Sequence, residues 1–401
     1  LREGSWGLVR VHGRGEGNLV PLPGRARVPA ADATICPAGA PDTRVAVSSI
    51  DVPLPMLDGR TGKVFVLDDD VDAVASGDKA PQPLVVHVNV GDCLHVKLTN
   101  RTSSGPTSYH VDLLAADPTA SGGVAAGREP QQSVAPGTTR TSTFFASPEV
   151  GETVAMVRDF GDVLTNPGLG LYGAVIVGAP GTTYRGEGWS TDAYPPEGAP
   201  YRDVTLFLQD EDEAIGTHRM PYGRAVKGPV GINYRTAQED LEPLDGEDPD
   251  TPLIEAHAGD RLRLHVLSPW SEQTQVFGLE GHDWPLEPGR RGTTIISALG
   301  VGGLEAITIE PRGGAGGLAH APGDYRYGNE RAPYREAGLW GLLRVHPAGK
   351  HVNGLRPLRD SDGGPSARTL AIGALVAAAA LGALRRRRSS GRATAPPTAT
   401  L

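Results

Sequence analysis

The sequence predicts an all-β protein: two tandem β-sandwich domains of one type, followed by a single transmembrane helix. Three observations carry this expectation. A phrase recurs as Gly4-Ser5-Trp6-Gly7-Leu8-Val9-Arg10-Val11, Gly170-Leu171-Tyr172-Gly173-Ala174-Val175-Ile176-Val177 and Gly338-Leu339-Trp340-Gly341-Leu342-Leu343-Arg344-Val345. Its starts lie 166 residues apart (170 − 4) and then 168 apart (338 − 170), and Val85–Asp92 is echoed by Leu253–Asp260 at the same interval of 168. Self-similarity at a fixed period marks repeated structural units. Second, 54 glycines and 35 prolines in 401 residues, with aromatics at 5%, favour short elements between turns. Runs such as Leu84–Val90 and Leu262–Val266 alternate or are β-branched between that punctuation, as strands of a sandwich or barrel do. Third, Thr369–Leu384 is an unbroken small and apolar stretch.

Taken in order, residues 1–28 read as the C-terminal end of a preceding domain, because the first phrase arrives with no domain in front of it. With Leu at position 1, the sequence reads as the C-terminal part of a longer protein. A first unit occupies 32–180 and ends on the apolar strand Gly173–Gly178. Ala179–Pro200, rich in Gly, Pro, Thr and Glu, reads as a linker. A second unit, 201–346, opens on the strand Val204–Leu208. Each unit carries a strand, a Gly-Asp pair and a further strand, where Gly tolerates positive φ and Asp bonds the local backbone. Each closes on Gly-x-aromatic-Gly, whose glycines let a loop pack closely against the strand.

Residues 347–368 form a polar stalk, 369–384 the transmembrane helix and 385–401 a basic tail. At 16 residues (384 − 369 + 1) the apolar stretch is slightly short of the roughly 17–25 that span a bilayer. Arg385–Arg388 follow it and can snorkel to the interface. A buried Ala-rich helix is the other reading of such a stretch, but the arginine run and the polar stalk favour the anchor. By the positive-inside rule the arginines stay cytoplasmic, giving a single-pass cell-membrane protein with its large domains on the extracytoplasmic side.

The formal net charge is −9, and the tail beyond Arg368 holds five arginines and no acids, so the remainder carries −14 (−9 − 5). Such an acidic ectodomain excludes nucleic acid and anionic lipid as natural partners, although it can gather cations, a divalent metal substrate among them. Asp68–Asp70 and Asp210–Glu213 are acidic runs of the kind that sit solvated in loops. Asn100-Arg101-Thr102 fits an N-glycosylation acceptor. Two cysteines, Cys36 and Cys93, have no CxxC spacing. An extracytoplasmic setting permits a disulfide between them, worth ~4 kcal/mol in the chain-entropy model, and the alternative is two inert buried thiols. No P-loop, nucleophile elbow or zinc-protease motif is present.

Val88-Asn89-Val90-Gly91-Asp92-Cys93-Leu94-His95-Val96-Lys97-Leu98-Thr99-Asn100, with the later Gly170–Val177 phrase, resembles the cupredoxin domains of multicopper oxidases. Cys36-Pro37-Ala38-Gly39-Ala40-Pro41, Tyr109-His110-Val111-Asp112 and Gly4–His12 add a likeness to the large, multi-domain bacterial copper oxidases related to manganese oxidases. The likeness spans most of residues 1–346. It implies Greek-key cupredoxin sandwiches, and copper as cofactor: a type 1 copper on two His and a Cys, and a trinuclear cluster on His-x-His pairs that reduces oxygen. Thiolate and imidazole suit copper, whereas carboxylates alone favour harder cations.

The resemblance also implies where ligands should stand. The family's terminal His-Cys-His-x3-His falls in the second unit on Gly328, Asn329, Glu330 and Tyr334, and its His-x-x-His-x-His-x-His on Gln275, Gly278, Glu280 and His282. One position in eight keeps a histidine, so this unit is a cupredoxin-like domain with a degenerate copper site. His282 and His320 read as loop or strand-end histidines. In the first unit His110 matches a His-x-His pair and Asp112 replaces its second member; on a strand the two share a face, so both could address one metal ion. The second pair is missing from Arg158–Asp162, and a hydrogen-bonded interior histidine is the other reading of His110. His87, His95, His257 and His265 read as surface positions on strands.

In the family a ligand histidine immediately precedes Leu-x-x-Gly, and this sequence opens Leu1-Arg2-Glu3-Gly4. The expectation is thus the C-terminal portion of a membrane-anchored multicopper oxidase, its copper mainly in upstream cupredoxin domains of the same polypeptide and these two domains mainly structural. The alternative is a non-enzymatic cupredoxin-like surface or copper-binding protein.

Overall fold

The strand Cys93–Asn100 shows how the first sandwich is made. Leu94, Val96 and Leu98 enter a core with Val47, Phe65, Phe144, Val175 and Val177, while Cys93, His95, Lys97 and Thr99 take the other face. A computed structural model of the chain describes residues 7–9, 35–127, 129–211, 226–238 and 247–358. Residues 1–355 make up one unit, which holds both sandwiches, and 356–401 another.

In the first sandwich one sheet runs, in spatial order, Thr61–Leu67, Asp42–Pro53, Cys93–Asn100, Thr139–Phe145 and Ala115–Ala116. The facing sheet runs Leu84–Asn89, Gly173–Gly178, Thr153–Arg158 and His110–Val111. The second sandwich repeats the plan: Thr183–Glu187, Ser190–Tyr194, Tyr201–Asp210, Leu262–Trp270 and Ala306–Ile309 in one sheet, with Val230–Ile232 beside Tyr201–Asp210. Its partner sheet runs Ile254–His257, Trp340–His346, Gly323–Asn329, Gln275–Leu279 and Ala298–Val301.

The sequence repeat is a repeat of pairing. Val86 lies opposite Val175, and Ile254 opposite Leu343, both in parallel ladders and offset by the same 168 residues (254 − 86; 343 − 175). Both Gly-Asp turns are built alike: Gly91 and Gly259 have φ of 93° and 84°, and Asp92 and Asp260 each accept a 2.8 Å bond from the backbone N–H three residues back. Gly170 and Gly338 open the closing phrases at φ 105° and 101°, where a side chain would be strained. A Cβ on Gly173 would stand 2.5 Å from the carbonyl oxygen of Leu84, so the close parallel pairing needs that glycine.

Several expectations change. Ala179–Pro200 is no linker: it folds into the antiparallel hairpin Thr183–Glu187 and Ser190–Tyr194, turning at Gly188 with φ 72°, and pairs onto Tyr201–Asp210. Asp210 ends that strand fully buried rather than solvated in a loop. Asn100 is fully buried too, and its amide donates to the carbonyls of Val134 at 2.7 Å and Gly105 at 3.0 Å, so the folded chain offers no glycosylation acceptor there. The expected membrane helix 369–384, the tail 385–401, stalk residues 359–368 and most of residues 1–28 lie outside the described residues. Among the described residues no helix is long and apolar enough to cross a membrane.

The two sandwiches share a third core. Ala174 and Ile176 of the first, with Val85, Val154, Met156 and Tyr172, pack against Phe207, Tyr234 and Leu267 of the second. Tyr172 stacks on Phe207 with ring centroids 5.5 Å apart, and the Tyr234 hydroxyl donates to the Gly170 carbonyl at 2.5 Å. This seam explains why Gly173–Gly178 and Tyr201–Asp210 are buried along their whole length: each strand has a core on both faces.

Buried charge crosses the same seam. The Asp203 carboxylate has no exposed surface and meets His265 Nε2 at 2.8 Å and, from the first sandwich, His87 Nε2 at 3.4 Å. His265 Nδ1 contacts the Thr308 hydroxyl at 2.9 Å, and the His87 ring packs at a tilt against Tyr184, centroids 4.3 Å apart. Burial opposes ionisation of Asp203, but the two histidines outweigh it and hold the carboxyl well below the usual range. Of the four histidines expected at the surface, His265 and His257 are buried, and His87 and His95 are half-buried. Asp203→Asn leaves this cluster without its charge and is expected to lower unfolding stability at pH 7 by roughly 3 kcal/mol in urea titration. A carboxyl with a depressed folded-state pKa stabilises above its unfolded pKa, so the difference between variant and wild type should shrink as pH falls below about 4. Equal stability at pH 7 would contradict an ionised Asp203.

Candidate metal centres

Of the eight sequence-derived ligand positions in the second sandwich, Gln275, Gly278, Gly328, Asn329 and Glu330 are neighbours in space. In the second sandwich Gln275–Leu279 pairs with Gly323–Asn329, with Phe277 opposite Asn329 and Gly278 opposite Gly328. Gln275 and Asn329, which stand where an upstream ligand and the type 1 cysteine are expected, are both buried, and the Asn329 amide Nδ2 donates to Gln275 Oε1. The Asn329 side-chain oxygen Oδ1 accepts from the Arg331 backbone N–H at 2.9 Å. Gln275 Nε2 in turn donates to Asp210 Oδ1 and to the Ser271 hydroxyl, the latter at 2.7 Å. Gly278 and Glu330 are also neighbours, since a Cβ on Gly278 would fall 2.3 Å from Glu330 Oε1.

These donors do not fit copper. Carboxamides are poor ligands beside thiolate and imidazole, and here the amides satisfy one another across the sheet. The place that would hold a metal is closed by a hydrogen-bonded network. Tyr334, at the last ligand position, is buried in the core with Arg331 over its ring at 4.7 Å.

His282 survives at its ligand position and serves as a backbone clasp. Its Nδ1–H donates to the Glu280 carbonyl at 2.7 Å, and its Nε2 accepts the backbone N–H groups of Gly316 and Gly317, both at 3.1 Å. That pattern requires the neutral ring protonated on Nδ1. His320 sits at the C-terminal end of the short turn Gly317–Ala319 with φ 49°.

In the first sandwich, Asp112 directly follows the two-residue strand His110–Val111, and His110 Nε2 is 3.1 Å from Asp112 Oδ1. The other ring nitrogen, Nδ1, meets the Gly122 carbonyl at 2.8 Å, and Arg158 approaches Asp112 to 3.7 Å. Both nitrogens of His110 therefore have protein partners. Phe160 packs edge-on to its ring at 5.1 Å. Asp159, from the segment where a second pair of histidines is missing, is a buried carboxylate accepting the Ser108 backbone N–H at 2.6 Å and the Asn166 amide at 2.9 Å. Burial raises its pKa.

Between the sandwiches lies a cavity of about 230 Å³ lined by Met156, Arg158, Asp159, Tyr172, Trp270 and Leu304 among others, with no histidine or cysteine. Among the described residues, the group of three or more His, Cys and carboxylate donors within reach of one ion is Cys36, Cys93 and His95. The two cysteines meet with Cα atoms 5.9 Å apart, inside the range of a disulfide. Cys93 is fully buried although it stands on the outer face of its sheet, because the Cys36 turn covers it. Sequence reasoning did not connect His95 with this pair: its only signal was the i, i+2 spacing from Cys93.

No known protein family and no curated protein matches the sequence. Solved structures do match in shape. A copper nitrite reductase from Nitrosomonas europaea superposes with a TM-score of 0.53 at 17% identity over 76% of this chain and 94% of that one. The chain has the cupredoxin fold. A laccase from Botrytis aclada gives 0.52 at 15% identity, over 82% of this chain and 58% of that one. A multicopper oxidase gives 0.51 at 16%, over 76% and 89%. The tandem cupredoxin frame is thus the one used by copper enzymes, while the second domain's ligand positions hold an amide pair and a clasping histidine.

Burial lowers the pKa of His282. A histidine held neutral in the folded state costs stability once the unfolded chain protonates, so the loss begins as pH falls below about 6.5. Wild type should show a falling urea midpoint between pH 7 and pH 5, and His282→Gln a flatter profile in that window. Parallel profiles would contradict the clasp.

Proposed function

We propose that these two domains are the structural, ligand-depleted portion of a multicopper oxidase that couples oxidation of a metal ion or small reductant to reduction of oxygen. The cupredoxin fold and its likeness to copper enzymes support the general assignment. The observation that carries the structural role is the buried Gln275–Asn329 amide pair at the second domain's copper position. A domain that keeps its frame and fills its metal site with hydrogen bonds serves the assembly through its shape and its surfaces.

Copper would then be held mainly by further cupredoxin domains upstream in the polypeptide, of which the Gly4–Val11 phrase is a third echo. An ion reaching His110 and Asp112 would have to displace the contacts these residues make with each other, with Gly122 and with Arg158. The apolar segment 369–384 and Arg385–Arg388 support a single-pass anchor with the sandwiches on the extracytoplasmic side. Such a setting suits a Cys36–Cys93 disulfide, which would pin the entry turn to the first sheet.

The test is copper content and oxygen uptake. The 401-residue chain, loaded with copper and supplied with a phenolic or metal reductant, is expected to show no thiolate-to-copper charge-transfer band and no oxygen consumption. A longer chain carrying upstream domains is expected to show both. Oxygen uptake by the 401-residue chain alone would overturn the structural assignment; an upstream-extended chain free of copper would favour the non-enzymatic alternative.

A further inference from the structure

The strand Cys93–Asn100 presents Cys93 and His95 on its outer face, two residues apart, and the turn Cys36–Ala40 lays a second sulfur against the first. The sulfurs of Cys36 and Cys93 and a ring nitrogen of His95 all lie within 4.8 Å of one another. Asp42, paired in register with Cys93, accepts from or faces His95 Nε2 at 3.1 Å, while Nδ1 contacts the Thr143 hydroxyl at 3.1 Å. A carboxylate behind an imidazole is the arrangement that fixes a ligating histidine, leaving its other nitrogen to the metal. Two thiolates and one imidazole, with a fourth position open, form a donor set for zinc and other thiophilic cations.

We infer that the Cys36–Cys93 pair is a redox-gated metal site: oxidised it is a structural cross-link, and reduced it binds a thiophilic divalent cation together with His95. The opening step consumes two electrons and two protons. An external dithiol supplies both, breaking the protein S–S bond and becoming a cyclic disulfide itself. Metal binding then releases two thiol protons as the ion forms two metal–sulfur bonds, and the ring nitrogen of His95 that lies beside the sulfurs exchanges its present contact for the metal. The rigid sheet holds Cys93 and His95 in place in both states, and only the Cys36 turn needs to adjust. The site is separate from the copper positions of the oxidase proposal, and it stands or falls without them.

The experiment uses the whole chain, oxidised or reduced with a dithiol under argon and desalted, with Zn²⁺ titrated against a chromophoric chelator and Co²⁺ as a spectroscopic probe. The reduced chain is expected to bind one Zn²⁺ with release of two protons and to give a thiolate-to-Co²⁺ charge-transfer band; the oxidised chain is expected to give neither. Asp42→Asn should weaken the reduced site by roughly tenfold, as loss of a supporting carboxylate does, and His95→Ala by more. Near-UV circular dichroism monitors folding throughout. Equal Zn²⁺ uptake by the oxidised chain or by the Cys36→Ser/Cys93→Ser variant would overturn the site, as would binding insensitive to His95→Ala. Loss of the folded signal on reduction that Zn²⁺ does not restore would overturn it as well, since the folded sheet must hold Cys93 and His95 beside the Cys36 turn.

Discussion

The seam between the two sandwiches is the constraint on which the rest of the structure depends. Gly173–Gly178 and Tyr201–Asp210 each face a core on both sides, so neither sandwich can present its natural inner sheet without the other. Apolar burial of Phe207, Tyr172, Met156 and Leu267 supplies the drive, and it is non-directional. Direction comes from the buried Asp203 carboxylate, reached by His265 from its own sheet and by His87 from the other sandwich. A charge so enclosed is tolerated only where its partners stay in place, which ties the relative setting of the sheets to one small cluster.

A fixed frame explains how the fold stands with no copper-type donors at the expected ligand positions Gln275 and Asn329. Phe277 still faces Asn329 across the ladder, and the backbone ladder does not require any ligand side chain. What it does require is that buried polar groups be satisfied. The amides of Gln275 and Asn329 meet that condition together with Ser271 and the strand-end Asp210. His282 meets it differently, by clasping two backbone N–H groups of a glycine-rich turn. Likeness in shape to copper enzymes therefore goes with positions that carry amides in place of copper-type donors.

Much of this was legible in the sequence because it depends on backbone geometry repeated at a fixed interval. Gly170 and Gly338, and Asp92 and Asp260, perform the same local task in each sandwich, so their spacing alone revealed the period. The resemblance to multicopper oxidases placed Asn329 just ahead of Gly-x-aromatic-Gly and Gln275 at the start of the upstream histidine motif. The histidines were misread because their burial depends on partners from distant strands: nothing near His87 announces Asp203. The hairpin at Thr183–Tyr194 was hidden by turn-forming residues that suit a linker equally well. Asn100 carries an acceptor pattern whose meaning is reversed by burial, which no three-residue motif reports.

The most direct measurement of the central claim is anomalous X-ray scattering at the copper edge from crystals of the copper-treated chain. The account predicts that the space between Gln275–Leu279 and Gly323–Asn329 carries no copper peak, with the Asn329 amide still on Gln275. A copper peak at that position, with the two amides parted around it, would contradict it.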